Sequence, residues 1–153
     1  MCRALAPPNR GAEDTKVKVT VLALIVMLAG CATRPVADTD ARAIPADQVI
    51  DSTYLSEAPG TGRVTVKRDS GFLSGGCVAR LFVDAKPVAD LRRSEKVVLH
   101  MPPADYIFST QGVGVCSVGT PTAEIRGTVK PGEAIAFRIG NAGGGLVIYA
   151  TAF

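Results

Sequence analysis

Ala123-Glu124-Ile125-Arg126-Gly127-Thr128-Val129-Lys130-Pro131-Gly132-Glu133-Ala134-Ile135-Ala136-Phe137-Arg138-Ile139 decides the fold. Ile125, Gly127 and Val129 alternate with Glu124, Arg126, Thr128 and Lys130. That period of two puts one set inward and the other outward on a strand. Lys130-Pro131-Gly132-Glu133 then turns the chain, because proline presets φ and glycine accepts a positive one. Ile135, Phe137 and Ile139 restart the same period as a second inward face.

The same grammar extends in both directions. Val64 and Val66 face one way, Thr65 and Lys67 the other. Cys77–Val83 is apolar on both faces except at Arg80, and Asp84-Ala85-Lys86-Pro87 turns it into Val88–Leu91. Lys96–Met101 places Val97, Leu99 and Met101 on one side and Val98 and His100 on the other. Tyr106–Gln111 follows Pro102-Pro103, and Val113–Val118 reads as a further strand holding Cys116. Asn141–Gly145 is a glycine-rich hairpin loop before the last strand, Leu146–Phe153. Short alternating segments parted by Gly and Pro turns predict an all-β domain. The expected architecture is a small antiparallel β-sandwich of about eight strands over residues 62–153, since each such strand has one face to bury.

Residues 31–61 read as a tether, punctuated by Pro35, Pro45, Pro59 and Gly60. Within it Ala46–Ala58 is compatible with one short helix, with Val49, Ile50, Tyr54 and Leu55 near one face. Upstream, Lys16 and Lys18 precede an apolar run from Val19 to Gly30, the layout of a secretory signal. As a helix the run reaches roughly 18 Å, short of the about 30 Å of a bilayer core. The n-region Met1–Lys18 is long and carries Glu13 and Asp14, which points to a translation start nearer Lys16–Val19.

Leu28-Ala29-Gly30-Cys31 resembles the lipobox of bacterial lipoproteins. The resemblance implies cleavage after residue 30 and acylation of the Cys31 thiol, the one side chain there with the nucleophilicity for it. It implies a protein held to the membrane by its acyl chains. Ala32 rather than Asp after the cysteine implies, by the enterobacterial sorting rule, the outer membrane facing the periplasm.

The first 30 residues hold four of the 17 basic and two of the 14 acidic side chains, which leaves a mature net charge of +1. No basic patch predicts a nucleic-acid partner, and Arg92-Arg93 reads as a solvated turn. Of four cysteines, processing removes Cys2 and acylation uses Cys31. Cys77 and Cys116 remain, matching one disulfide in an oxidising compartment. Closing a loop of about 40 residues stabilises by roughly 4 kcal/mol on the chain-entropy argument. Two free thiols or a metal pair are the alternatives, though a single histidine supplies a zinc site poorly. The bridge could staple neighbouring strands, facing sheets, or a strand and the glycine-rich loop before Cys77.

Val83–Leu91, Val97–Leu99 and Met101-Pro102-Pro103-Ala104-Asp105-Tyr106-Ile107-Phe108 resemble the domain of unknown function 2846 and PEGA-like surface modules. Val129–Phe137 resembles their second strand entry. Ala85 and Ala104 stand where those modules carry glycine. The resemblance implies a small β-sandwich in the envelope and supplies no catalytic residue.

Candidate chemistry is sparse. No nucleophile–base–orienter set, phosphate loop or metal-ligand spacing is present in the sequence, so no catalytic residue, metal or cofactor is expected. His100 is the lone histidine, on the polar side of its strand. Phe72 and Leu73, inside the Gly71–Gly76 loop, are candidates for a partner-binding surface. Tyr106 and Tyr149 could supply small stacking platforms. The expected function is a non-enzymatic envelope protein of structural or interaction type. The alternative is a small ligand-binding module or enzyme built on His100 and the loops at 71–76 and 141–145.

Overall fold

Alternating strands each have one face to hide, and two sheets laid face to face hide both. The computed structural model describes residues 34–71, 76–117, 122–142 and 144–152. These build two facing sheets, so the all-β sandwich stands. Nine strands occur among the described residues: β1 (Arg42–Ala43), β2 (Gly62–Arg68), β3 (Val78–Val83), β4 (Lys86–Leu91), β5 (Glu95–Met101), β6 (Ala104–Val113), β7 (Ala123–Val129), β8 (Ala134–Ala142) and β9 (Gly145–Thr151). The five-stranded sheet has the order β1-β5-β2-β8-β9 and the four-stranded sheet the order β4-β3-β6-β7. Pairing is antiparallel except for β1 with β5 and β2 with β8.

The Lys130–Glu133 turn is a corner between sheets: β7 pairs with β6, whereas β8 pairs with β2 and β9. Alternation does the rest. Val64, Val66, Val97, Leu99, Phe137 and Ile139 point from one sheet into the core, and Ala79, Leu81, Val83, Phe108 and Val129 meet them from the other. Burying a side chain of that size stabilises by about 1.5–3 kcal/mol. Phe108 and Phe137 meet at 4.8 Å between ring centroids. They occupy the space a side chain at residue 127 would need: a Cβ on Gly127 would lie 2.7 Å from Phe137 Cζ and 2.9 Å from Phe108 Cε2.

Asp84 and Ala85 form the two-residue β3–β4 turn with φ of 47° and 65°, the positive pair of a hairpin turn whose twist matches its strands. Ala85 therefore accepts a conformation that suits glycine. The Asp84 carboxylate offsets this by accepting the Ile107 N–H at 2.9 Å. Pro87 is accommodated because β4 is an edge strand with a register shift opposite Leu81 and Phe82.

Three sequence expectations are corrected. Residues 34–54, expected within a tether, lie along the sandwich. Arg34 bridges Ser70, Arg42–Ala43 pairs with β5, and Val49 bridges Ala89. Val36 and Ala41 are buried, and Ile44 and Tyr54 pack on the core. The polar composition hid this because the strap binds through backbone bonds, a few apolar contacts and polar side chains such as Gln48 and Asp38. Next, the helix expected over 46–58 is a single 3-10 turn, Ala46–Gln48. Ile50 and Leu55 are exposed, so its expected apolar face does not exist. Last, Val113–Val118 is not a separate strand. β6 runs through to Val113, and Gly114–Cys116 is a 3-10 turn.

Cys77 and Cys116 are bonded, with Cα atoms 5.5 Å apart. Cys77 immediately precedes β3 and Cys116 follows β6, whose ends pair at Val78 and Val113. The bridge thus staples neighbouring strands of one sheet.

Candidate functional site

The outward residues of the five-stranded sheet form the candidate site. Antiparallel pairing of β2 and β5 sets Arg63 directly opposite His100, and neighbours across such a pair lie within side-chain reach. The Lys130–Glu133 corner adds Glu133, whose backbone carbonyl accepts the Arg63 N–H at 2.9 Å. The segment entering β2 adds Glu57 and Thr61. Together they wall an open cleft of about 850 Å³, floored by Val98 and Ala134. A second hollow of about 490 Å³ adjoins it, sharing Arg63 and Ala134 and reaching Thr65 and Lys67.

Chemically the cleft offers both signs of charge. Among the described residues, the side chains of Glu57, Arg63 and His100 take part in no ion pair or hydrogen bond. Glu133 is shared with Lys130 at 3.6 Å. The Thr61 hydroxyl donates to the Ala58 carbonyl at 2.6 Å. His100 has an arginine across from it, which offers donors only and cannot accept a proton. These groups suit recognition of a ligand carrying both donors and acceptors.

Sequence reading placed His100 on the outward side, and there it sits, half-buried. It did not find Arg63, Glu57 or Glu133. The outward position of Arg63 was legible from the alternation, but the β2–β5 pairing was not. The structure separates His100 from the described flanks of the two glycine-rich loops expected to join it. His100 pairs near the start of β2, whereas Ser70 and Gly71 follow its end and Gly145 pairs at the end of β8. Some six strand residues, about 20 Å, lie between. Phe72 and Leu73 lie outside the described residues, as does Cys31. Tyr106 is mostly buried and its hydroxyl donates to the Pro102 carbonyl. Burial raises its pKa, chiefly by desolvating the phenolate, with Tyr54 and Asp84 adding to the effect. Tyr149 is exposed but lies under the Arg138 guanidinium at 5.3 Å.

Charges at the opposite end are structural. Arg68, 4 % exposed, spans the sheets by donating to the carbonyls of Cys77 and Leu91. Desolvation pulls its pKa down to about 10, with Arg93 acting in the same direction and Glu95 against it. It stays charged at neutral pH. Asp69 is buried beside Arg138, with Oδ2 and Nη2 3.3 Å apart. Desolvation raises its pKa, and Arg138 and Lys67 oppose the rise. Lys67, which alternation places on the outward side of β2, is buried as well, at 2 % exposed.

No protein-family model, curated protein or solved structure matches this chain.

Proposed function

We propose that the chain is a lipid-anchored envelope protein, exported by its first 30 residues and acylated on Cys31, whose sandwich binds a partner and does no covalent chemistry. The observation that carries the binding role is the cleft: Arg63, His100 and Glu57 face one hollow without being consumed by one another. Unpaired groups on a sheet face cost little in water and become available to a ligand. Covalent catalysis would need a nucleophile activated by a base, and the hydroxyl at hand, Thr61, is turned onto a backbone carbonyl. The lipobox-like Leu28–Cys31 supports the anchor, Ala32 supports the outer membrane, and the strand-turn resemblance over 83–108 supports an envelope module.

Metabolic labelling with an alkyne fatty acid tests the anchor. The expected result is label on the natural chain and none on Cys31→Ser; label retained by Cys31→Ser overturns it. Photo-crosslinking from a benzophenone residue replacing Val98 tests the cleft. One crosslinked species is expected, lost in Arg63→Glu. Crosslinks indifferent to that change refute the binding role.

A further inference from the structure

The docked strap changes what an acyl anchor would do. The first described residue, Arg34, is already tied to the sandwich: its N–H donates to Ser70 O at 2.6 Å, and its carbonyl accepts from Ser70 N at 3.0 Å. Only Ala32 and Thr33 separate it from Cys31. Three extended residue steps span about 10 Å. That is close to the Debye length of about 8 Å at physiological salt. A tether running to residue 61 would instead let the domain stand far from the lipid.

We infer that this end of the sandwich rests on the membrane and binds acidic phospholipid headgroups through Arg34, Arg42, Arg92 and Arg93. The inference rests on the acylation of Cys31 proposed above. Hydrogen bonds draw the four together. Arg34 bridges Ser70, Arg93 Nη1 donates to Gly71 O at 3.0 Å, and Arg42 N donates to Ser94 O at 2.9 Å, beside Arg92 and Arg93 in the β4–β5 turn. All four arginines are exposed. The acidic groups nearby offset only part of this charge. Glu95 is buried and accepts from Gln48 and Arg92 N, and Asp38 pairs with Lys96. Asp40 on the strap and Glu124 near the start of β7 remain exposed. Arginine matches phosphate because its planar fork donates two parallel hydrogen bonds. Each basic side chain at an acidic leaflet raises partitioning by about fivefold. The cleft at Arg63 and His100 then lies at the end of the sandwich farther from the membrane, because β2 runs between the two ends.

Tryptophan is absent from the chain, so a single introduced tryptophan reports without background. The processed, lipidated protein carrying Ala37→Trp or Lys86→Trp is reconstituted into vesicles of brominated phosphatidylglycerol and phosphatidylcholine. Both sites are exposed, one on the strap and one at the far end of β4. Bromolipid should quench Ala37→Trp at least twofold more than Lys86→Trp, and added salt or the double change Arg92→Glu/Arg93→Glu should erase the difference. Brominated phosphatidylcholine alone, which needs no further substitution, should also erase it. Equal quenching of both reporters in acidic vesicles, on a chain that floats with them, overturns headgroup docking and leaves the anchor intact. A chain that carries no acyl group and does not float overturns both.

Discussion

At the scale of single residues, Gly127 carries the tightest constraint in the core. Phe108 from the neighbouring strand and Phe137 from the facing sheet fill the volume above it, so a methyl group would fall within 3 Å of both rings. Overpacking of this kind costs about 1–3 kcal/mol. Gly127→Ala should lower unfolding free energy by that amount in urea titration, with the same denaturant slope. Asp69 makes a pH prediction. In the fold it keeps its proton to higher pH than in the unfolded chain, because burial disfavours the carboxylate. Between the ordinary carboxylate value and the raised one, the folded state binds more protons, so this group's contribution to stability falls as pH rises. Asp69→Asn removes that slope. Its stability relative to the natural chain should therefore increase as pH climbs from about 4, and a pH-independent difference in urea midpoints would refute the assignment.

At the scale of elements, legibility depended on whether the signal was local. Inward faces on β5, β7 and β8 follow from alternation, and Val97, Leu99, Val129, Phe137 and Ile139 are buried as that pattern requires. Pairing partners did not follow, because β2 joins β5 and β8 across gaps that no local pattern encodes. The β3–β4 turn is an intermediate case: its place was legible, its positive φ at Ala85 was not. Replacing Ala85 with glycine removes the steric cost of left-handed backbone, about 1 kcal/mol, and Ala85→Gly should raise the urea midpoint. The strap shows the other failure. Gln48, six residues past Arg42, donates through Nε2 to Glu95 Oε2 at 2.7 Å and to Asp90 O at 2.8 Å, so one polar side chain joins both sheets. A glutamine amid proline and aspartate gives no local cue to this. Gln48→Ala leaves the buried Glu95 carboxylate short of a donor and should cost about 1–3 kcal/mol.

For the whole molecule, the question is where the folded unit begins. Sequence composition puts the boundary at Gly62, and the packing of Val36, Ala41, Ile44 and Tyr54 puts it ahead of Arg34. The two boundaries differ physically in what happens to β5. With the strap present, its outer edge is bonded at three points: Arg42 N to Ser94 O, Ile44 N to Lys96 O, and His100 N to Tyr54 O. Without it that edge opens along most of its length, Glu95 loses its Gln48 partner, and the sheet presents a template for association with other chains. Three edge bonds at about 0.5–1.5 kcal/mol each, added to the lost burial of Val36, Ala41, Ile44 and Tyr54, are large against a total stability of about 5–15 kcal/mol for a domain. A chain beginning at Thr33 should therefore unfold in one cooperative urea transition as a monomer. A chain beginning at Gly62 should lose at least half of that stability or associate in sedimentation at the same concentration. Equal midpoints for the two chains would mean that the strap merely decorates a sandwich complete without it, and would return the proposed acyl anchor to the end of a long tether.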